Sequence, residues 1–210
     1  SMIILDFDGV LFNDERFKKD YWDLFRRFGI PYRVHQTAYR EAKAVCRGHY
    51  RHDVHLEMIR RKIPSADTRR IMYGIEQLLA GSAVYLYRDA RPFLTYWRKR
   101  GQRLGLISNG GLFQRKKIAA SGLLPFFQIA IVTEECKSKP IQSIIRRLRN
   151  EPVVFIDDKS SVIEEVKQKI PQLSVLQMMR RRRQERSRHA DTSVVTLAAV
   201  RQLLARREGK

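Results

Sequence analysis

From residue 2 to residue 5 the chain is unbroken Met-Ile-Ile-Leu, and the run stops at Asp6-Phe7-Asp8-Gly9. A short apolar run closed by a turn signal predicts a buried strand. Between Asn13 and Ala83 the period changes. Phe17, Tyr21, Leu24, Phe25 and Phe28 recur at intervals of three and four, and Gly29 and Pro31 then stop the helix they predict. The same spacing predicts helices over 35–46, 52–63 and 67–79, the last with Asp67 as N-cap and Gly81 as its end. No strand pattern interrupts this stretch, so residues 14–83 read as a compact helical insert.

After Asp89 the two periods alternate. Helices are predicted over 93–100, 113–121, 141–148 and 162–169, and strands over 104–107, 129–133, 153–156 and 174–176. Leu197, Val200, Leu203 and Leu204 place helical spacing in 196–207. Apolar strands alternating with amphipathic helices predict an α/β fold, a parallel sheet covered by helices on both faces. The expected core is residues 1–13 with 84–210, and the insert 14–83 forms a second, all-helical domain.

Ligands of open parallel sheets bind beyond the carboxyl ends of the strands. Three predicted strand ends carry polar clusters, Asp6/Asp8, Ser108/Asn109 and Asp157/Asp158, and a fourth strand is followed by Lys137 and Lys139. Carboxylates from two strands suit a hard, oxygen-seeking cation such as Mg²⁺. A serine and a lysine beside them would complete an electrostatic clamp for a transferring phosphoryl group.

Those clusters resemble the motifs of the haloacid dehalogenase-like hydrolases. Residues 2–12, MIILDFDGVLF, resemble the first motif, residues 104–110, LGLISNG, the second, and residues 153–161, VVFIDDKSS, the acidic fourth. The likeness covers nearly the whole chain. It implies a Rossmann-like core with a helical cap inserted after the first motif. It also implies a Mg²⁺-dependent phosphatase acting on a phosphomonoester, with phosphomutase chemistry on sugar phosphates as the alternative the core motifs do not separate. By the same resemblance Asp6 is the nucleophile and a metal ligand. Asp8 is the acid and base, touching the metal through its backbone carbonyl. Ser108, Asn109 and the motif lysine hold phosphate, while Asp158 ligates the metal directly and Asp157 through water. Members that attack carbon halides lack the second acid, so Asp8 argues against dehalogenation.

The motif lysine has two candidates. Lys139 precedes Pro140, as in the common form of the third motif, but leaves Ile141 as a poor helix cap. Lys137 makes Ser138 the N-cap and puts Pro140 in the first turn, where it is tolerated, and is preferred. Substrate selection would fall to the insert, with Arg47, His49, His52, His55, Arg60 and Arg61 as candidates. The three histidines lack clustered acidic or Cys ligands and read as solvated or substrate-facing rather than metal-binding.

Composition changes the picture in one respect. The 210 residues include 42 Lys and Arg against 22 Asp and Glu, a net charge of +20, and six arginines fall within 180–188. Such a field attracts anions, so nucleic acid is a conceivable partner. No nucleic-acid module accompanies it, and a phosphorylated small molecule is the favoured ligand. The arginine run reads as a mobile, solvated loop. Cys46 and Cys136 lack metal-ligand spacing and read as buried or half-buried thiols. No run approaches the roughly 18 apolar residues of a membrane span. No secretion signal is visible, so a cytoplasmic location is expected. Nothing in the pattern specifies an oligomeric state.

Overall fold

The computed structural model describes residues 1–149 and 151–208, so Asn150 and the last two residues of the expected core lie outside it. Its strands are β1 (Met2–Leu5), β2 (Arg103–Asn109), β3 (Ile129–Thr133), β4 (Val153–Asp157), β5 (Ser174–Met178) and β6 (Thr192–Val194). Its α-helices are α1 (Asp14–Arg27), α2 (Tyr32–Val45), α3 (His52–Lys62), α4 (Thr68–Ala80), α5 (Ala90–Lys99), α6 (Leu112–Ala120), α7 (Ser138–Arg147), α8 (Ser160–Lys169) and α9 (Leu197–Glu208). The strands form one parallel sheet in the order β3-β2-β1-β4-β5-β6, a Rossmann-like α/β arrangement. Strand order reverses between β1 and β4, the place where such sheets bind ligands.

All four residues of β1 are buried because the strand lies mid-sheet with helices on both faces. On one face Met2 and Ile4 join Ile107, Phe155 and Val175 under Ile141 and Ile144 of α7 and Ile163 and Val166 of α8. Leu94 and Trp97 of α5 and Leu197, Val200 and Leu204 of α9 are buried as well. The sequence pattern missed β6. It is a three-residue strand held by polar groups, with the Asp191 carboxylate accepting from Val175 N–H at 2.7 Å and Met179 N–H donating to Val194 O at 2.7 Å. Helix α5 begins at Ala90 rather than at the predicted residue 93. Asp89 precedes it without capping it, because its carboxylate accepts from Arg180 at 2.7 and 3.1 Å and from Leu197 N–H at 2.9 Å.

The chain divides into two compact units, one of residues 1–13, 86–109 and 123 onward, the other of residues 14–85 and 110–122. The second therefore includes α6, which the sequence pattern assigned to the α/β core. Lys116 of α6 pairs with Glu76 of α4 at 2.8 and 3.1 Å. Asp67 caps α4 by accepting from Arg70 N–H at 3.1 Å, and Gly81 ends it, as the sequence predicts.

Two of this unit's histidines depart from the solvated reading. His55 and His52 are buried rather than solvated. His55 stacks on Phe25 with centroids 5.0 Å apart, bonds the Tyr50 hydroxyl through Nδ1 at 2.9 Å and meets the His35 carbonyl with Nε2 at 3.2 Å. His52 meets Glu76 at 3.2 Å. Burial pushes His35 down to about 4, and burial, with His35 adding, pushes His55 down to about 3. Both fold as neutral rings that an unfolded chain protonates more readily. The stability they contribute is complete above the unfolded value near 6.5 and is lost as pH falls through it. The expected loss is at most about 1.4 kcal/mol per pH unit for each histidine. Between about pH 7 and 4.5 the melting temperature of the parent should therefore fall relative to that of a His55→Gln variant. Equal slopes in the two proteins would refute the account.

Candidate active site

Sheet register gathers the predicted site residues. Leu5 lies opposite Leu106 of β2 and Ile156 of β4, so Asp6, Ser108 and Asp157 all emerge at the same end of adjacent strands. Asp6 N–H closes the last bond of the strand on Ile156 O at 2.9 Å. Beyond it the chain folds back, with Leu11 and Phe12 N–H donating to Phe7 O at 2.9 Å and Phe12 stacking on Phe7. Asp8 is half-buried within that turn.

Ligand oxygens of Asp6, Asp157 and Asp158 lie within 4.8 Å of one another, and all three residues are buried. The Asp8 carboxylate does not belong to that cluster. Lys137 is buried among the acids, with Nζ 2.7 Å from Asp6 Oδ1 and 2.7 Å from Asp157 Oδ2. Lys139 points away and pairs with Glu135 at 3.1 Å on the surface. The helix cap nevertheless differs from the expected Ser138. The structure makes Lys137 itself the N-cap, without a side-chain bond, and starts α7 at Ser138 with Pro140 in the first turn. The Ser138 hydroxyl donates to Glu165 instead.

Ser108 is buried at the end of β2. The Asn109 amide donates to Thr133 O at 3.3 Å and Glu135 O at 2.8 Å, an anchor for the segment leading to Lys137. Cys136 in that segment is exposed and Cys46 half-buried, which corrects the burial expected for Cys136.

The electrostatics follow from crowding acids out of water. Burial pushes Asp6 up to about 6 against the opposing charge of Lys137. Burial, reinforced by Asp6 and Asp157, pushes Asp158 up to about 7. For Lys137, burial would lower the ammonium, but Asp157 and Asp6 outweigh it and hold it above the ordinary lysine range. Asp158 Oδ1 is buried with no hydrogen-bond partner. Three clustered carboxylates, one with an orphaned oxygen, fit a hard divalent cation such as Mg²⁺. Asp6, Asp157 and Asp158 are the side chains that would hold it.

Gly9 shows how tightly the turn packs on this cluster. Its φ is +73°, and a Cβ there would lie 2.5 Å from Asp158 Cγ. A side chain at position 9 must displace that carboxylate, besides the roughly 1–2 kcal/mol cost of left-handed backbone. Gly9→Ala is expected to weaken binding of a divalent cation by these carboxylates about tenfold, the equivalent of about 1.4 kcal/mol, read by calorimetric titration. Unchanged affinity would show that the close approach is unimportant.

The arginine run behaves differently from the solvated loop expected of it. The Arg180 side chain is only 8% exposed, pairs with Asp89 at 2.7 Å, donates to Val10 O at 3.0 Å and lies over the Tyr87 ring. Arg181 reaches Asp158 Oδ2 at 3.3 Å. Gln177 and Gln184 donate to Asp158 O at 3.3 and 2.5 Å and so tie the loop to the site. Sequence reasoning missed these contacts because they arise across β5 and the loop after it, with no fixed spacing to Asp158. Arg182, Arg183, Arg186 and Arg188 are exposed as expected.

No helix among the described residues is long and apolar enough to cross a membrane. No curated protein matches the sequence. Solved structures share its fold. A HAD phosphatase from Thermococcus onnurineus is 23% identical with 97% of each chain covered and a TM-score of 0.67. A protein described as haloacid dehalogenase-like, from Burkholderia xenovorans LB400, is 18% identical over 98% of this chain and 96% of that one, at TM-score 0.75. L-2-haloacid dehalogenase from Xanthobacter autotrophicus, with chloropropionic acid covalently bound, is 15% identical over 97% and 98%, at TM-score 0.64. The haloacid dehalogenase-like hydrolase family model matches residues 1–164, so the chain belongs to that family of hydrolases.

Proposed function

We propose that this hydrolase is a Mg²⁺-dependent phosphatase that cleaves a small phosphomonoester through an aspartyl-phosphate on Asp6. The observation that carries the reading is the buried cluster of Asp6, Asp157 and Asp158, whose oxygens lie within 4.8 Å of one another. So many acids against one buried lysine leave negative charge that a divalent cation would balance. Attack on a carbon halide calls for no such excess, and Asp8 is the second acid that dehalogenases of the family lack.

In the proposed reaction the Asp6 carboxylate attacks phosphorus. The bond to the leaving oxygen breaks, and that oxygen takes the proton of Asp8. Asp8, now a carboxylate, removes a proton from water, which attacks phosphorus, frees inorganic phosphate and returns Asp6 to its starting state. Lys137 keeps Asp6 oriented and ionised and, with Ser108, faces the phosphoryl oxygens. A bound Mg²⁺ would neutralise phosphoryl charge and favour the ionised form of the acids. The helical unit is assigned the part of a cap that excludes water and selects the substrate.

The purified protein should release inorganic phosphate from an aryl phosphate or from members of a sugar phosphate and nucleotide panel, and chelation should abolish the release. An isomeric sugar phosphate in place of free phosphate would convert the assignment to phosphomutase. Inertness of the Mg²⁺-replete protein towards every phosphomonoester offered would overturn it.

A further inference from the structure

We propose that Arg181 is an internal counter-cation for Asp158 that competes with the divalent ion and thereby sets the affinity of the site for it. The inference rests on the metal-binding reading above and extends it to a residue outside the family's motifs.

Lys137 and Arg181 both contact the acidic cluster, and they are held in different ways. Lys137 is 2% exposed and sits between two carboxylates. Arg181 is 27% exposed and meets Asp158 Oδ2 at 3.3 Å. Part of its side chain reaches solvent, and the contact leaves Asp158 Oδ1 without a hydrogen-bond partner. A guanidinium keeps its charge at any accessible pH, so only movement removes it from the site.

Its position follows from the backbone around it. Arg181 N–H donates to Gln184 Oε1 at 3.2 Å, and Gln184 Nε2 donates back to Asp158 O at 2.5 Å and to Met178 O at 2.6 Å. Gln177, buried at the end of β5, donates to Asp158 O at 3.3 Å and to Glu185 O at 2.8 Å, and accepts from Ser187 N–H at 2.7 Å. On the other side Arg180 is fixed to Asp89 and Val10. The loop is thus strapped to the residue whose carboxylate Arg181 meets. A displaced Arg181 side chain remains tethered there, at high local concentration and ready to return.

A ligand that must first displace an internal partner binds more weakly by the fraction of time the site stands open. A like charge held nearby opposes a divalent ion as well. Both effects vanish when position 181 is neutral and persist when it is another cation. The test compares the parent protein with Arg181→Gln and Arg181→Lys, titrating each with magnesium chloride by calorimetry without substrate and melting each in chelator.

Arg181→Gln is expected to bind Mg²⁺ about tenfold more tightly than the parent, while Arg181→Lys stays within about threefold. In chelator Arg181→Gln should melt below the parent, because Asp158 has lost its partner, and saturating Mg²⁺ should remove the difference. Equal affinities in the three proteins, or weaker binding by Arg181→Gln, would overturn the counter-cation and leave the metal site standing. Absence of Mg²⁺ binding by all three at millimolar concentration would overturn the metal reading itself, and this inference with it.

Discussion

Asp6→Asn is expected to lower phosphate release by about four orders of magnitude or more, the scale on which loss of a covalent nucleophile is felt, while the protein remains folded. Asparagine keeps the shape of the side chain and removes its nucleophilic charge. Lys137 loses one of two carboxylate partners but retains Asp157 at 2.7 Å, so its ammonium is not left bare. Asp6 also helps to push Asp158 up, so the variant should ionise Asp158 more readily. The substitution therefore separates chemistry from folding, with melting in chelator near that of the parent and turnover lost. Rapid quenching should trap a phosphoryl group on the peptide that contains Asp6 in the parent and none in the variant. Residual turnover within tenfold of the parent would remove Asp6 as the nucleophile.

That residue was legible in the sequence because the strand before it is fully apolar and the residues after it are turn formers. The parallel sheet and the meeting of Asp6 with Asp157 and Asp158 were legible for the same local reason, strands ending in acids. What lay beyond reach depends on contacts distant in sequence. Strand β6 has no apolar run, and side-chain bonds from Asp191 hold it in place. Helix α6 carries a weak apolar stripe, and its place beside α4 is set by tertiary pairing such as Lys116 with Glu76. Ser138 looks like a cap by residue type, but Glu165, far along the chain, takes its hydroxyl. Spacing also hid the burial of His55, whose ring nitrogens find Tyr50 and the His35 carbonyl and so tolerate an apolar setting. The arginine run misled in the same way. Charge density marks a solvated loop unless partners on other strands are known, and Asp89 and Asp158 are those partners.

Lys137→Met should have the largest effect on stability, a loss of about 3–5 kcal/mol near neutral pH. Methionine fills comparable space without strain, so the cost is electrostatic. Asp6 and Asp157 each lose an ammonium at 2.7 Å in a region almost sealed from water. Lys137 opposes the rise of Asp6, so without it the Asp6 carboxyl is pushed further above its present value of about 6. A carboxyl raised in the folded state contributes stability that is complete below its unfolded value and is lost as pH rises through its folded value. The deficit of the variant relative to the parent should therefore be greatest above about pH 7 and shrink as pH falls towards 5.5, where Asp6 and Asp158 take up protons. The acid sensitivity of His35 and His55 is common to both proteins and cancels in the comparison. Magnesium should act in the same direction as acid, because a ligand at a hundred times its Kd returns about 2.7 kcal/mol if the three carboxylates still hold it. Urea midpoints of parent and variant at a series of pH values, with chelator and with Mg²⁺, measure all of this. A deficit below about 1 kcal/mol at neutral pH, or one that widens on acidification, would mean that Lys137 does not neutralise the cluster.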